Sequence, residues 1–324
     1  MKIENLLTIF LPIKDRPTFT KRCLNYLSLS KCKFPILIAD GSVDNAIEIY
    51  LEKNVKELKL NIIYKRYPAD SSFKIFLNKL SNSMELVKTP FVIWAADDDF
   101  YNLNELEKGI NFLINNKDYK SYSAEVANFK IINIDKKKNS SRAFGKLSLR
   151  QLQYSYKGHI DDPKASKRIE RYDDLHSVEC IHYTSSLTEI FNIAKKVNAD
   201  SFFVLGPIFQ YFTLIIGKSF YSKEVFMLRQ DDTPVSAGRE LFEKDISIIH
   251  MLGQEDYTLT IFKIFDLLTE VYKKNSSPYR QTFKSHLLKT WLSYSQKRID
   301  IYLKTETQMT SASHLRKYRL FRVL

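Results

Sequence analysis

The first hundred residues alternate short apolar runs with segments of helical periodicity. The runs lack the polar alternation of a half-exposed strand, which is the pattern of strands covered on both faces. Strands are predicted at 6–11, 34–39, 60–64 and 91–94. Amphipathic helices are predicted from Thr20 onward and over 44–57, 72–87 and 102–116. This alternation predicts a mostly parallel, Rossmann-related α/β sheet that is flanked by helices and joined by right-handed crossovers.

The pattern changes in the second half of the chain. Strands are predicted at 126–134 and 225–229, and amphipathic helices at 255–274 and 280–303. The periodicity is weak over 142–180, where charges dominate. Residues 201–217 contain no charged side chain, but the run is short for a membrane span and Gly206-Pro207 interrupts it. A buried or interfacial helix is therefore favoured there, and the last two helices form a helical C-terminal extension.

The strand at 91–94 leads into three consecutive carboxylates, Asp97, Asp98 and Asp99, which we name the acid turn. Adjacent like charges repel and resist removal from water, so a buried strand that ends in them is unfavourable unless a cation is present. Hard oxygen ligands suit Mg2+ or Mn2+, which commonly bridge carboxylates and a substrate's phosphates. A solvated acidic turn is the alternative interpretation.

The carboxyl ends of parallel strands meet at one edge of a sheet, and ligands bind there. Pro12 and Asp40 stand at the predicted ends of the first two strands, and the acid turn follows the fourth. Lys14 lies in the loop after Pro12. The sequence therefore predicts one site at these positions. An ordinary Asp-Gly turn at Asp40, and plain loop residues at Pro12 and Lys14, are open alternatives.

Basic residues are concentrated near the C-terminus. The chain carries a net charge of +13, and its segment 280–324 holds ten Lys and Arg residues against two acids, a net charge of +8. This excess predicts an anionic partner: membrane phosphate, nucleic acid or a phosphorylated substrate. The helix at 280–303 also carries an apolar stripe. The stripe predicts either docking on an anionic membrane surface or packing on the rest of the protein.

Composition narrows the class of protein. An apolar fraction of 44% supports a sizeable core and excludes a disordered chain. Three cysteines without metal-type spacing, and a start without the pattern of a secretory signal, favour a cytoplasmic protein. The sequence has neither a Gly-x-Gly-x-x-Gly motif nor a Walker loop, so phosphate binding by those glycine-rich loops is not expected.

Four segments stand in order in the first half. They are Leu7-Thr-Ile-Phe-Leu-Pro-Ile-Lys-Asp-Arg-Pro17, Ile36-Leu-Ile-Ala-Asp-Gly-Ser42, Tyr64 with the following Pro68, and Phe91-Val-Ile-Trp-Ala-Ala-Asp-Asp-Asp99. Together they resemble the nucleotide-sugar half of GT-A glycosyltransferases, the family-2-like group of bacterial surface-polysaccharide enzymes. The resemblance covers roughly residues 6–135 and fades after that. It implies a GT-A-like fold and a nucleotide-diphospho-sugar donor.

The resemblance also implies a division of the chain and roles for its residues. Residues 1–135 would be the nucleotide-sugar-binding half, 136–250 the acceptor-binding half of the same catalytic domain, and 251–324 a basic helical C-terminal region. Asp97 and Asp99 would hold Mn2+ or Mg2+ on the donor diphosphate, where the metal stabilises the charge of the leaving group. The nucleotide would be bound by Pro12, Lys14, Asp40 and Asp97, with Asp40 at the base or ribose.

Inverting members of this group also need a general base for the acceptor hydroxyl, usually a carboxylate in the second half. This sequence departs from that pattern, because the uncharged stretch 201–217 occupies the region where an acid near a helix start is expected. Asp200, immediately before the stretch, is the first candidate for the catalytic base. Glu189 and Asp173 are reserves. A solvated surface acid is the alternative at each position.

The leading hypothesis is a metal-dependent, inverting glycosyltransferase that acts on a cell-surface glycan or a lipid-linked acceptor. It would be cytoplasmic, or peripheral on the inner face of the cell membrane. A nucleotidyl- or phosphoglycosyl-transferring enzyme with the same sheet and metal pair is a second hypothesis. A nucleic-acid-binding protein is a third, based on the positive charge and the many Tyr and Phe residues. The acid turn opposes the third hypothesis, because it repels phosphate unless a metal is bound.

Overall fold

The computed structural model describes residues 2–132, 142–152, 158–175, 177–198, 201–231, 233, 255–275 and 282–308. The strands are β1 (Leu7–Ile13), β2 (Ile36–Asp40), β3 (Ile62–Arg66), β4 (Phe91–Trp94), β5 (Phe100–Tyr101), β6 (Tyr119–Ile132), β7 (Lys146–Leu152), β8 (Ile181–Tyr183) and β9 (Lys218–Gln230). The helices are α1 (Pro17–Leu29), α2 (Ala46–Leu58), α3 (Phe73–Ser83), α4 (Leu103–Asn115), α5 (Ala165–Ile169), α6 (Thr184–Val197), α7 (Leu205–Ile216), α8 (Glu255–Asn275) and α9 (Phe283–Gln308). Short 3-10 turns lie at Ile3–Asn5, Met84–Leu86, Tyr172–Asp174 and Phe202–Val204.

Within the described ranges, nine strands form one sheet in the order β3-β2-β1-β4-β8-β6-β9-β5, and β7 pairs with β6. The strands β3, β2, β1 and β4 run parallel. β8 then runs antiparallel to both β4 and β6, and β6 is parallel to β9. The predicted α/β architecture is confirmed. The parallel half contains the four strands predicted from the first hundred residues.

Helices cover both faces of the parallel half, which is why its inner strands lack polar alternation. Phe10 and Val92 belong to a core that includes the apolar faces of α3, α6, α7, α8 and α9. Ile9 and Ile93, which point to the other face, pack with α1, α2 and α4. The two cores therefore fill the space above and below the same strands.

Some boundaries differ from the predicted ones. β1 continues through Pro12 to Ile13, with Pro12 opposite Ala39 of β2. α1 begins at Pro17 rather than at Thr20, because a proline in the first helical turn lacks only an N–H that would have no partner inside the helix. β6 begins at Tyr119, seven residues before its predicted start. Its early residues pair with β8 and β9, and these long-range partners are not visible in a local pattern.

The uncharged stretch contains a buried helix, as favoured. Tyr211 and Leu214 of α7 are fully buried, and Gly206-Pro207 lies in the first turn. The buried Arg168 donates hydrogen bonds to the carbonyls of Leu214 at 2.8 Å and Ile215 at 2.9 Å, so it satisfies the C-terminal end of the helix. Among the described residues, no helix has the length and apolarity that a membrane span requires.

The apolar stripe of α9 packs on the protein. Phe283, Leu287 and Trp291 are buried. The ring of Phe283 stacks on Tyr272 of α8 with 3.6 Å between centroids, and Trp291 meets Phe265 edge-on at 6.3 Å. Of the two interpretations of the stripe, the described residues show packing, so these side chains are not available to a membrane.

Replacing Trp291 with alanine should destabilise the protein by about 3–5 kcal/mol, the usual cost of removing a large aromatic side chain from a core. Trp291 is only 6% exposed. The matched control is Leu292→Ala one position along, because Leu292 is 49% exposed and its loss should change stability by less than about 0.5 kcal/mol. Urea unfolding of the two variants measures the difference. Equal stability would show that α9 does not dock as described.

Candidate functional site

The carboxyl ends of the parallel strands meet at one edge of the sheet. β1 and β2 end side by side at Ile13 and Asp40. The acid turn follows β4 at the same edge. β8 runs in the opposite direction, with Ile181 facing Ile93 of β4, so the segment that precedes β8 reaches this edge from the other half of the chain. β9 also ends here, at Gln230. The fold therefore gathers residues from 12 to 233 around the acid turn.

All three side chains of the acid turn are buried. Asp97 accepts a hydrogen bond from the hydroxyl of Thr20 at 2.9 Å, and its other oxygen lies 3.2 Å from Nη2 of Arg16. The same nitrogen of Arg16 lies 2.8 Å from Asp98, which also accepts a 2.9 Å hydrogen bond from the hydroxyl of Thr233. Arg16, at the start of α1, thus bridges the first two acids.

Asp99 is bound from β9. Its Oδ1 accepts the backbone N–H of Gln230 at 3.2 Å, and its Oδ2 lies 3.7 Å from Nε of Arg229. Nη2 of Arg229 donates to Glu179, just before β8. Arg229 therefore stands between the last acid of the turn and a carboxylate from the second half of the chain.

Arg22 of α1, six residues after Arg16, holds the backbone of the acid turn. Its Nη2 donates to the carbonyl of Asp98 at 2.8 Å and its Nη1 to Oε1 of Gln230 at 2.8 Å. The guanidinium lies over the rings of Phe19 and Phe100, 5.0 and 4.8 Å from their centroids. Cation–π contacts and hydrogen bonds stabilise a buried site more than an exposed one. Arg22 therefore holds the acid turn against β9.

The electrostatics of the acid turn favour a cation. Burial raises the pKa of Asp97 to about 6, although Arg16 opposes the shift. Burial and the neighbouring charge of Asp98 raise the pKa of Asp99 to about 8. Burial lowers the pKa of Arg16, but Asp97 and Asp98 outweigh it and leave that pKa raised. Each of these carboxyls is therefore harder to ionise than in water, most of all Asp99, and a bound cation would favour the ionised forms.

A divalent metal fits the acid turn if a substrate completes its coordination. Among the described residues, no group of three or more His, Cys, Asp or Glu side chains could hold a metal by itself. Mg2+ is commonly bound by one or two carboxylates together with substrate phosphates and water, and Mn2+ accepts the same oxygen ligands. The contacts of the Asp97 oxygens, at 2.9 and 3.2 Å, are shorter than those of the Asp99 oxygens, at 3.2 and 3.7 Å. Of the two predicted ligands, Asp99 is therefore the more loosely held.

A second group of contacts surrounds Asp40, whose side chain is 0% exposed. Its Oδ1 accepts the backbone N–H of Ser42 at 2.8 Å, and its Oδ2 accepts the hydroxyl of Tyr64 at 2.8 Å. Nη1 of Arg66 lies 3.6 Å from the same Oδ2. Burial and the hydrogen bond to Asp40 raise the pKa of Tyr64, so its hydroxyl remains a donor. Asp40 is thus more than an Asp-Gly turn, because it orders Tyr64 and Arg66 at the strand-end edge.

A buried ion pair lies beneath this group and was not predicted. Lys79 of α3 pairs with Asp70, and it also donates to the carbonyl of Ile13 at 3.0 Å. A Cβ added at Gly41 would overlap the Asp70 carboxylate, which explains the glycine after Asp40. Burial raises the pKa of Asp70 and lowers that of Lys79. The sequence signal for this pair was Lys79 itself, a charged residue within the amphipathic helix predicted over 72–87.

The remaining predicted nucleotide contacts lie close to these groups. Pro12 is half-buried near the end of β1. Lys14 follows in the loop and is also half-buried, and its charge acts on Asp70 and Lys79. The structure therefore brings Pro12, Lys14 and Asp40 to one edge together with the acid turn.

The three residues predicted as candidates for the general base lie in different parts of the chain. Asp200 lies outside the described residues. Asp173 forms an ion pair with Lys297 of α9. α6 begins at Thr184, which bonds to backbone carbonyls beside the start of β4. Glu189 follows five residues later on α6, about 7 Å along the helix axis from Thr184 at 1.5 Å per residue.

Glu179 was missed by the sequence analysis. It stands in a weakly patterned segment, and the short strand β8 that follows was not predicted. Only the antiparallel pairing of β8 with β4 shows that Glu179 lies beside the acid turn. The sequence carries no local signal for that direction.

No protein-family model matches the sequence, and no curated protein matches it either. Solved structures do match the fold. TarS of S. aureus, residues 1–349, is 14% identical with a TM-score of 0.54, and the match covers 89% of this chain and 70% of that one. The same protein in complex with UDP-GlcNAc gives 14% identity and a TM-score of 0.54 over 87% of this chain and 70% of that one.

A more distant structure is the mannosyltransferase PcManGT of Pyrobaculum calidifontis, solved with GDP-Man and Mn2+. It is 8% identical with a TM-score of 0.43, over 87% of this chain and 67% of that one, and it is too distant to bear on individual residues. The order of the strands, the helices on both faces and the match to TarS agree with the resemblance noted in the sequence. The chain has a GT-A-like glycosyltransferase fold.

Proposed function

We propose that the protein is a metal-dependent glycosyltransferase, which moves a sugar from a nucleotide-diphosphate donor to a cell-surface glycan or a lipid-linked acceptor. The observation that carries the proposal is the buried turn of three adjacent acids at the strand-end edge of a GT-A-like fold. UDP-GlcNAc is bound by TarS in one of its structures, which supports a donor of this class here.

The nucleoside would bind along the ends of β1, β2 and β3. Tyr64 and Arg66 present a hydroxyl and a guanidinium that Asp40 holds in place. These are suitable groups for the polar edge of a base or a ribose. Lys14, in the loop between β1 and α1, supplies a positive charge for the anionic donor.

The diphosphate would lie at the acid turn. Mn2+ or Mg2+ held by Asp99, with Asp97 in support, would neutralise the charge that develops on the leaving nucleoside diphosphate. Arg16 lies against the same turn and would present its positive charge to the phosphates. The sugar would then face the segment before β8. Direct attack by an acceptor hydroxyl at the anomeric carbon is a single displacement, which inverts the configuration.

Two other functions could use the same residues, but they would differ in the products released or in the molecule bound. A nucleotidyl- or phosphoglycosyl-transferring enzyme would also bind a nucleotide and metal at the acid turn, but it would release pyrophosphate or a nucleoside monophosphate. A nucleic-acid-binding protein would bind DNA or RNA in a salt-dependent manner without turnover. Release of a nucleoside diphosphate from a nucleotide sugar therefore separates the proposed function from both.

The test is a thermal-shift screen with UDP-GlcNAc, UDP-glucose, UDP-galactose and GDP-mannose, each with and without Mn2+, followed by an assay of nucleoside diphosphate release. A ligand at 100 times its Kd stabilises the fold by about 2.7 kcal/mol. We expect one donor to raise the Tm in a Mn2+-dependent way and to release its nucleoside diphosphate. A protein that neither binds nor hydrolyses any of the four would contradict the proposal.

Asp99→Asn should abolish the Mn2+-dependent part of the thermal shift and lower turnover by at least about a hundred-fold, because it removes a charge that stabilises the transition state through the metal. Asp97→Asn should act in the same direction. The control is Asp118→Asn, an exposed acid paired with Lys218, which should leave both measurements unchanged. Full activity of Asp99→Asn, or of the wild type in excess EDTA, would remove metal from the mechanism.

The basic C-terminal region would hold the protein on an anionic membrane by charge alone, since the stripe of α9 is buried. Each basic side chain near such a surface contributes about 1 kcal/mol, and salt screens it. The test variant changes four basic residues outside the described ranges to Gln: Arg316, Lys317, Arg319 and Arg322. It should lose salt-sensitive binding to anionic vesicles in co-sedimentation and keep the wild-type Tm. Equal binding of the wild type to neutral and anionic vesicles would favour a soluble acceptor.

A further inference from the structure

Glu179 reaches the acid turn from the second half of the chain through a shared arginine. It precedes Cys180 and β8, whose antiparallel pairing with β4 turns the segment back to the strand-end edge. Arg229 donates to Glu179 and lies 3.7 Å from the Asp99 carboxylate.

The Glu179–Arg229 pair is partly open. The side chain of Glu179 is 20% exposed and that of Arg229 is 22% exposed, whereas the Asp99 side chain is 4% exposed. A carboxylate in this position can meet a molecule that approaches from solvent. Asp173, in contrast, forms an ion pair with Lys297 of α9.

We propose that Glu179 is the general base of the transfer reaction and that Arg229 is its positioning residue. This inference rests on the proposed function and names the acceptor side of the same site. Glu179 lies where an acceptor would approach a sugar whose diphosphate sits at Asp99. Arg229 ties the two carboxylates together and so sets the position of the base relative to the leaving group.

In this step the acceptor hydroxyl gives its proton to the Glu179 carboxylate as its oxygen forms a bond to the anomeric carbon. The bond between that carbon and the diphosphate oxygen breaks, and its electron pair leaves with the nucleoside diphosphate. The protonated Glu179 returns the proton to solvent after the product departs. The ionised carboxylate required at the start is the form that pairs with Arg229.

The experiment compares Glu179→Gln with the wild type on the panel donor that the wild type hydrolyses fastest, with water as acceptor. Glutamine keeps the shape but cannot accept the proton, so kcat should fall by about 10²–10⁴-fold, the usual contribution of a general base. The donor KM and the Mn2+-dependent thermal shift should stay within about two-fold of wild type. Glu179→Asp should recover part of the lost kcat, since it retains the carboxylate. Glu170→Gln, at an exposed acid paired with Lys167, is the matched control and should keep the wild-type kcat.

Arg229→Lys tests the positioning role, because lysine keeps the charge but cannot bridge two carboxylates with a planar fork. It should lower kcat and leave the Mn2+-dependent shift in place.

Each other outcome identifies what has failed. If the wild type neither binds nor hydrolyses any panel donor, the proposed function is wrong and the inference falls with it. If the wild type hydrolyses a donor and Glu179→Gln is equally fast, the inference alone is wrong. If Glu179→Gln loses the Mn2+-dependent shift, Glu179 is a metal ligand and not the base. A Glu179→Asp variant with no recovery of kcat, in a protein of wild-type Tm, would also overturn the assignment.

Discussion

Three adjacent carboxylates are buried at the end of β4, and segments far away in the chain supply the charges and donors around them. β4 is covered on both faces and carries the acid turn away from bulk water. Removing such charges from water is costly unless opposite charges and hydrogen-bond donors surround them. Arg16 and Thr20 from the start of α1, together with Arg229 and the backbone of Gln230 from β9, meet that requirement in part. The start of α1 and the end of β9, which are far apart in the chain, are therefore both held against the end of β4.

The compensation is incomplete, and this is what makes the site suitable for chemistry. A fully neutralised cluster would have no electrostatic reason to accept a metal or an anionic donor. Here burial raises the pKa values of Asp97 and Asp99, so a bound cation would stabilise their ionised forms. Perturbed groups of this kind concentrate at functional sites, although structural ion pairs also produce them. The Lys79–Asp70 pair is of the second kind, since it anchors the loop beneath Asp40 to the end of β1.

The reversal of strand direction at β8 also determines which residues reach the acid turn. A wholly parallel sheet would bring only the ends of strands to the functional edge. Because β8 runs against β4, the residues that precede it are delivered to this edge as well. Glu179 thus reaches Arg229 from a segment that would otherwise lie on the opposite side of the sheet. The helices α8 and α9 cover the face that includes α6 and α7, so they support the second half without entering the site.

The parallel half of the sheet and its helices could be predicted from the residues alone. These features rest on local periodicity and on the rule that parallel strands end at one edge, and the structure has Pro12, Asp40 and the acid turn at that edge. What those residues contact followed only from the folded chain. The pairing of Arg16 with the acid turn, the burial of Lys79 and the direction of β8 depend on contacts between residues far apart in the chain. Local patterns carry no information about such contacts, and for this reason Glu179 became visible only once the strands were paired.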